Sequence, residues 1–317
     1  MEASKPVITV LMPAYNAARY IAEAIESVLL QTFANFELLI VNDGSTDATV
    51  DVIKSFNDTR IVLINRNNGG VAKALNTGLE YARADYIARF DADDICHPKR
   101  LEIQYGFMGS NPDYHILGSA ADYMDMAGNY VFNYQPPGHS NEQLQYLDYT
   151  LCPFIHSTVF YKKDEIIAAG GYDPNALGFE DHLLWRNILK KGKVFNLSQS
   201  LIKVRLNPES VTIDEKWCPR EFRQIKYSAL QKGTISEGQG NELYRIAREQ
   251  YRPEIKEGAY YALLAKKFLW NNHQPIKARE NLKEVLQVNR LDWRSYGLFM
   301  LSFLPAGLLL KLYNTIK

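Results

Sequence analysis

Residues 7–43 read V-I-T-V-L-M-P-A-Y-N-A-A-R-Y-I-A-E-A-I-E-S-V-L-L-Q-T-F-A-N-F-E-L-L-I-V-N-D, and this stretch decides the fold. Positions 7–12 are almost continuously apolar and rich in β-branched residues, the pattern of a strand buried on both faces, and Pro13 is expected to end it. Ile21, Ala24, Ile25, Val28 and Leu29 then fall at i, i+3, i+4, i+7 and i+8, which is one buried helical face. Residues 36–41 form a second apolar run. Strand, helix and strand joined by short turns make a βαβ unit, whose strands lie parallel.

The alternation continues outward from this unit. N-D-G-S-T-D breaks the second strand, and residues 48–56 read as a helix with Thr46 or Asp47 as N-cap. Residues 61–64 make a third strand. Val71, Leu75, Gly78, Leu79 and Ala82 mark a helical face, and residues 86–90 a fourth strand. The fold class is therefore α/β, a mostly parallel sheet between helices, and such sheets bind ligands beyond the carboxyl ends of their strands. Those ends carry the unusual polar residues: Pro13-Ala14-Tyr15-Asn16, Asn42-Asp43, the run from 65 to 70, and Asp91-Ala92-Asp93-Asp94. His97-Pro98 opens a further helix over 99–108. Residues 111–150, rich in Tyr, Asn, Gly and Pro, read as irregular strands and loops over the site. A strand is expected at 157–161 and a helix at 181–190.

Beyond about residue 214 only helices are expected, at 221–231, 241–251, 256–271 and 275–288. Residues 260–288 loosely resemble a tetratricopeptide-type helical hairpin, which as a single unit would have to pack on something larger. The organisation is thus a catalytic domain over 1–213, a helical extension over 214–294 and an apolar segment over 295–317. That segment is short for a membrane span and is interrupted by Pro305 and Gly307, while Arg290, Arg294, Lys311 and Lys317 flank it. It suits a peripheral anchor on the cytoplasmic face of a membrane; a terminal helix docked on the protein is the alternative.

Lys+Arg and Asp+Glu are 36 each, so no whole-chain field favours nucleic acid. Cys96, Cys152 and Cys218 are far apart, without a C-x-x-C pair, and read as reduced thiols of a cytoplasmic protein. The N-terminus offers no signal-peptide pattern.

Asp91, Asp93 and Asp94 crowd three carboxylates into four residues, a repulsion that a divalent cation would offset. Magnesium and manganese take carboxylate and diphosphate oxygens together. Asp43 is placed to accept from a base N–H. Lys73 and Asn76, three apart on one helical face, are placed to meet a phosphate or sugar.

The runs P-A-Y-N-A-A-R-Y-I-A-E-A-I-E-S-V-L-L-Q-T-F, L-L-I-V-N-D-G-S-T-D, A-L-N-T-G-L and Y-I-A-R-F-D-A-D-D resemble, in this order, the nucleotide-sugar half of family-2 glycosyltransferases. The resemblance continues through C-H-P-K-R-L-E-I-Q, H-S-T-V-F-Y and G-G-Y-D-P-N-A-L-G-F-E-D-H-L-L-W-R, and spans roughly residues 6–212. It implies a GT-A fold and a metal-dependent, inverting transferase of hexosyl type. A nucleotide-diphospho-sugar, by default a UDP-sugar, would donate to a saccharide or lipid-linked acceptor in bacterial surface polysaccharide or glycolipid assembly. Nucleotide contacts are implied at Pro13, Tyr15, Asn16 and Asp43, Mn2+ or Mg2+ and diphosphate contacts at Asp91 and Asp93, and the catalytic base in the pair Glu180-Asp181. Of the two, Asp181 at the helix start is expected to be the base, with Glu180 positioning Asp181, the sugar or the acceptor.

Two departures stand out. Leu75 occupies a position where many members have arginine, so positive charge falls to Lys73. V-R-L-N, ending in Asn207, replaces a Y-R-x-H segment whose histidine helps hold the metal. His156 and His182 are candidates for the missing ligand or for the acceptor pocket, against the alternative of hydrogen-bonded structural histidines. Trp185 with Arg186 is either an acceptor wall or core. A sugar-nucleotide nucleotidyltransferase would open with a Gly-rich phosphate loop where this chain has P-A-Y-N-A-A-R-Y. A catalytically inactive glycan- or nucleotide-binding protein is the other rival.

Overall fold

The structure is a computed structural model and describes residues 5–208, 219–249, 253–288, 290 and 292–316; Cys218 lies outside them. The chain divides into two compact units, the first made of Met1–Ala121, Tyr134–Val204 and Glu221–Arg245, the second of Asp122–Asn133, Arg205–Arg220 and Ile246–Lys317. Two helices past position 213 thus contribute to the first unit.

Up to residue 249 the elements run β1 (Ile8–Ala14), α1 (Ile21–Leu29), β2 (Phe36–Asn42), α2 (Thr49–Lys54), β3 (Ile61–Asn65), α3 (Val71–Tyr81), β4 (Tyr86–Arg89), β5 (Ile95–Cys96) and α4 (Arg100–Ser110). There follow β6 (Tyr114–Met124), β7 (Tyr130–Tyr134), α5 (Asn141–Gln145), a 3-10 turn at His156–Thr158, β8 (Phe160–Lys162), α6 (Lys163–Ala168), α7 (Glu180–Ile188) and β9 (Lys193–Arg205), then α8 (Arg220–Lys232) and α9 (Glu237–Glu249). The strand order is β3-β2-β1-β4-β8-β6-β9-β5. The first four strands are parallel, as the βαβ reading requires. The second half is antiparallel where β8 meets β4 and β6, and where β5 meets β9, so the sheet is mixed.

Alternation along β1 separates the two faces of the core. Val10 and Met12 face α1, α2 and α4 through Ile21, Ile25, Val28, Ile53 and Leu101, whereas Leu11 faces α3 and α7 through Leu75, Leu79, Leu184 and Trp185. Helix α3 lies so close to the sheet that a Cβ at Gly78 would sit 2.1 Å from Leu11 Cδ1. Pro13 does not end β1: it pairs in register with Val41, and the strand continues to Ala14. Asp47 holds the start of α2, its carboxylate accepting from Thr49 N at 3.0 Å and Ala18 N at 3.1 Å.

The segment expected to be irregular holds the eleven-residue strand β6. Its centre, Gly118-Ser119-Ala120-Ala121, lacks the bulky residues of a typical strand because nothing larger fits: a Cβ at Gly118 would lie 2.1 Å from Asn196 Oδ1 and 2.6 Å from Phe154. The strand expected at 157–161 is instead the 3-10 turn followed by β8. Helices α8 and α9 pack Ala229, Leu230 and Leu243 against Phe179 and Leu183, and so support the start of α7.

The second unit contains α10 (Pro253–Trp270), α11 (Pro275–Val288), α12 (Trp293–Leu301) and α13 (Ala306–Ile316). α10 and α11 form the expected hairpin, close enough at their far ends that a Cβ at Gly258 would lie 3.2 Å from Val288 Cγ1. Within this unit the end of β6 meets β7, with Tyr123 stacked on Phe132 at 4.6 Å. Among the described residues no helix is long and apolar enough to cross a membrane.

Candidate active site

The strands of the parallel half end level with one another. Ala14, Asn42 and Asn65 are in register, and Phe90 N still donates to Leu11 O at 3.0 Å, so Asp91 emerges beside Pro13. The loops beyond this edge are tied by side chains. Asn16, in the left-handed region with φ 48°, accepts from Thr46 N at 2.8 Å, and its own N–H donates to Ser45 Oγ at 3.0 Å. This is a conformation that asparagine tolerates better than most residues. Tyr15 is left 53% exposed at the edge.

Asp43 is 3% exposed. Its carboxylate accepts from Gly69 N at 3.1 Å and Gly70 N at 2.8 Å and pairs with Arg66, which the sequence reading did not single out. The carboxylate expected to meet a base thus also fastens the loop that enters α3. Gly44, at φ 76°, leaves room for that loop, since a Cβ there would stand 2.7 Å from Asn68 N. Lys73 is exposed near Gly69, but Asn76 is turned away from it. Asn76 Nδ2 donates to Tyr172 O at 2.8 Å and its Oδ1 accepts from Tyr172 N at 2.9 Å, so its amide clamps the G-G-Y turn instead of standing open to a phosphate or sugar beside Lys73. Leu75 is wholly buried in the core and offers the edge nothing.

Arg89, the last residue of β4, is 3% exposed and pairs with Asp91. Burial pulls its pKa down, but Asp91 and then Tyr172 and Asp94 outweigh this and raise it, so the guanidinium is a permanent buried charge. A lone cation inside the apolar strand Y-I-A-R-F is the sequence signal that points to it. Ser157 Oγ accepts from Asp91 N at 3.2 Å. The Asp91 side chain is 35% exposed, Asp93 is half-buried and Asp94 is buried. Accessible carboxylate oxygens of this kind are the hard donors that magnesium or manganese takes, so the residues fit such an ion.

The start of α7 brings the remaining groups together. One ligand atom from each of His156, Glu180 and Asp181 lies within 4.8 Å of the others. His156 Nδ1 is 3.8 Å from Asp181 Oδ2, and its Nε2 is 3.4 Å from Tyr172 Oη. Burial and then Arg89 hold His156 well below the usual histidine range, so it faces Asp181 as a neutral imidazole. Glu180 is 7% exposed, and burial and then Asp181 push its carboxyl up to about 8. Of the two adjacent carboxyls Glu180 is the more buried and the one that holds its proton more tightly, while the Asp181 side chain is 20% exposed.

Two expected candidates lie elsewhere. Trp185 is fully buried among Phe154, His156, Tyr161 and Tyr172 and is core, so it forms no acceptor wall. His182 is 3% exposed and stands outside the His156 cluster; burial, with Lys226 and Arg186, drives its pKa down to about 3. Tyr244 of α9, with no signal in the sequence, is 45% exposed and donates to Pro174 O at 3.4 Å. Its hydroxyl lies 4.0 Å from where a Gly70 Cβ would stand, and burial and then Glu180 raise its pKa.

The fold is of the class seen in S. aureus TarS 1–349 in complex with UDP, with a TM-score of 0.55 at 18% identity over 98% of this chain and 90% of that one. The UDP-GlcNAc complex of the same TarS fragment gives 0.54 at 17% identity, covering 98% and 92%. Residues 9–167, half of the chain, match Glycosyl transferase family 2, and the protein belongs to that family. Similar members include EpsE of Bacillus subtilis, named as a glycosyltransferase, at 34% identity over 64% of this chain and 74% of EpsE. The amylovoran biosynthesis glycosyltransferase AmsE of Erwinia amylovora is 32% identical over 67% of this chain and 80% of AmsE.

Proposed function

We propose that the protein catalyses metal-dependent, inverting transfer of a sugar from a nucleotide-diphospho-sugar to an acceptor hydroxyl in bacterial surface polysaccharide or glycolipid assembly. The observation that carries the reading is the pair at the start of α7, a buried Glu180 whose carboxyl is pushed up to about 8 beside the more accessible Asp181. The amylovoran role in AmsE's name supports the pathway class, and the UDP and UDP-GlcNAc complexes of TarS, which shares only the fold, make a UDP-sugar the first donor to try.

Asp181 takes the acceptor hydroxyl proton as that oxygen bonds the anomeric carbon, and the bond to the diphosphate breaks on the opposite face. The products are an inverted glycoside, a nucleoside diphosphate and a proton on Asp181. Because His156 is neutral, it does not weaken Asp181 as a base. Glu180, protonated, adds no second negative charge and is free to donate a hydrogen bond. Asp91 and Asp93 would hold a magnesium or manganese ion, which when bound would supply positive charge where the leaving diphosphate gathers negative charge.

A donor screen tests the reading. UDP-, GDP- and dTDP-sugars with manganese are followed by thermal shift and by nucleoside diphosphate release. One donor is expected to stabilise the protein only with metal, and Asp181→Asn is expected to cut turnover by about 10²–10⁴ with little change in donor KM. Metal-dependent stabilisation without any turnover that Asp181 controls would make the protein a nucleotide-sugar binder and overturn the proposal.

A further inference from the structure

Helix α12 leaves large apolar side chains in the open. Trp293, Tyr296 and Met300, with Phe303 just past the helix end, fall on one side by helical spacing and are 74%, 47%, 69% and 56% exposed, while Ser295 and the C-cap Ser302 are buried. The arrangement is held in place: Arg279 Nη2 donates to Ser302 O at 2.7 Å and its Nε to Ser302 Oγ at 3.2 Å, and Ser295 Oγ donates to Asp292 Oδ2 at 2.7 Å. Leu308 and Leu310 of α13 add 44% and 42% exposed side chains. Leaving a row of large apolar groups in water while burying serines is unfavourable unless something covers the row.

Charge decides what covers it. From residue 293 to 317 there is no aspartate or glutamate, whereas Arg294 and Lys311 are exposed and Lys317 follows, in a chain whose charges balance as a whole. A second copy joined through the same face by a two-fold axis would set this cationic patch against itself. Aromatic and aliphatic side chains in a segment whose only charged residues are cations match the boundary between headgroups and acyl chains of an anionic bilayer, and α12 and α13 are too short to cross one.

We propose that the exposed face of α12 and α13 seats the protein on an anionic lipid surface. This stands apart from the transfer reaction, because none of these residues belongs to the site on the first unit.

The test is sedimentation of the full chain with vesicles of phosphatidylcholine alone and of phosphatidylcholine with one quarter phosphatidylglycerol. Each cation near an anionic surface is worth about fivefold in affinity, so Arg294→Glu with Lys311→Glu is expected to weaken binding to the anionic vesicles at least about 25-fold. Trp293→Ser, Met300→Ser and Phe303→Ser together are expected to weaken it by more than about tenfold. As these side chains are exposed, the variants should melt like the parent, and Leu30→Ser with Tyr146→Ser, which removes two exposed apolar groups elsewhere, should bind like the parent. Failure of the parent to bind anionic vesicles overturns the proposal, as does undiminished binding by the triple serine variant. A dimer in sedimentation velocity that the triple variant dissolves, without vesicle binding, would assign the face to a second copy instead. Donor turnover in solution is measured in parallel, so that loss of the transferase reading and loss of this one are told apart.

Discussion

Replacing Glu180 by glutamine removes the proton on which the division of labour at α7 depends. In the folded protein burial and then Asp181 push that carboxyl up to about 8, from 4.5 for an unperturbed glutamate. A folded-state value above the unfolded one contributes stability that is complete below about 4.5 and is lost as pH rises through about 8. At 1.36 kcal/mol per pH unit, and with the group 7% exposed so that solvent screens it little, the loss over this window is roughly 3–5 kcal/mol, shared with Asp181. Urea unfolding of the parent and of Glu180→Gln at pH 5, 7 and 9 reads it directly. The glutamine variant is expected to gain on the parent by most of that amount between pH 5 and 9, and groups far from the site cancel in the difference. Parallel stability profiles, within about 0.5 kcal/mol across the range, would mean that Glu180 is already ionised at pH 5 and would refute the assignment of the proton.

Two further outcomes follow from named contacts. Arg89→Met leaves the carboxylate of Asp91 without its buried partner and is expected to cost about 3 kcal/mol in denaturant unfolding, whereas Arg89→Lys should recover part of it. Tyr244→Ala, at a half-exposed position between Gly70 and Glu180, should change stability by less than about 1 kcal/mol yet raise the donor KM several-fold, with Tyr244→Phe close to the parent, as read by nucleoside diphosphate release.

The parallel half of the sheet is legible in the sequence because its central strands β1 and β2 are buried on both faces and read as largely apolar runs, and β3 and β4 repeat the pattern at short spacing. The antiparallel half is not, for local reasons. β6 must be thin at Gly118 to admit Asn196 and Phe154, so packing removes the bulky residues by which a strand is recognised. In β9, buried Asn196 donates to Gly138 O at 2.8 Å and Pro153 O at 2.9 Å, and a polar residue satisfied from distant loops cannot be told from a surface one by periodicity.

The site divides along the same line. Asp43, Asp91 and the Glu180-Asp181 pair are found from the sequence because acidic residues at strand and helix ends are conspicuous. Which of them hold the fold and which are left accessible depends on contacts across long separations. Asn76 looks like a partner of Lys73 until Tyr172, 96 residues away, takes both ends of its amide. His156 and His182 look alike in sequence, and both are neutral in the fold, but only His156 is set beside Asp181. Arg89 gives the site its asymmetry. A fixed buried guanidinium at the end of β4 pairs with Asp91 and helps keep His156 neutral, so a single charge in an apolar strand acts on the acidic edge and on the surroundings of Asp181 together.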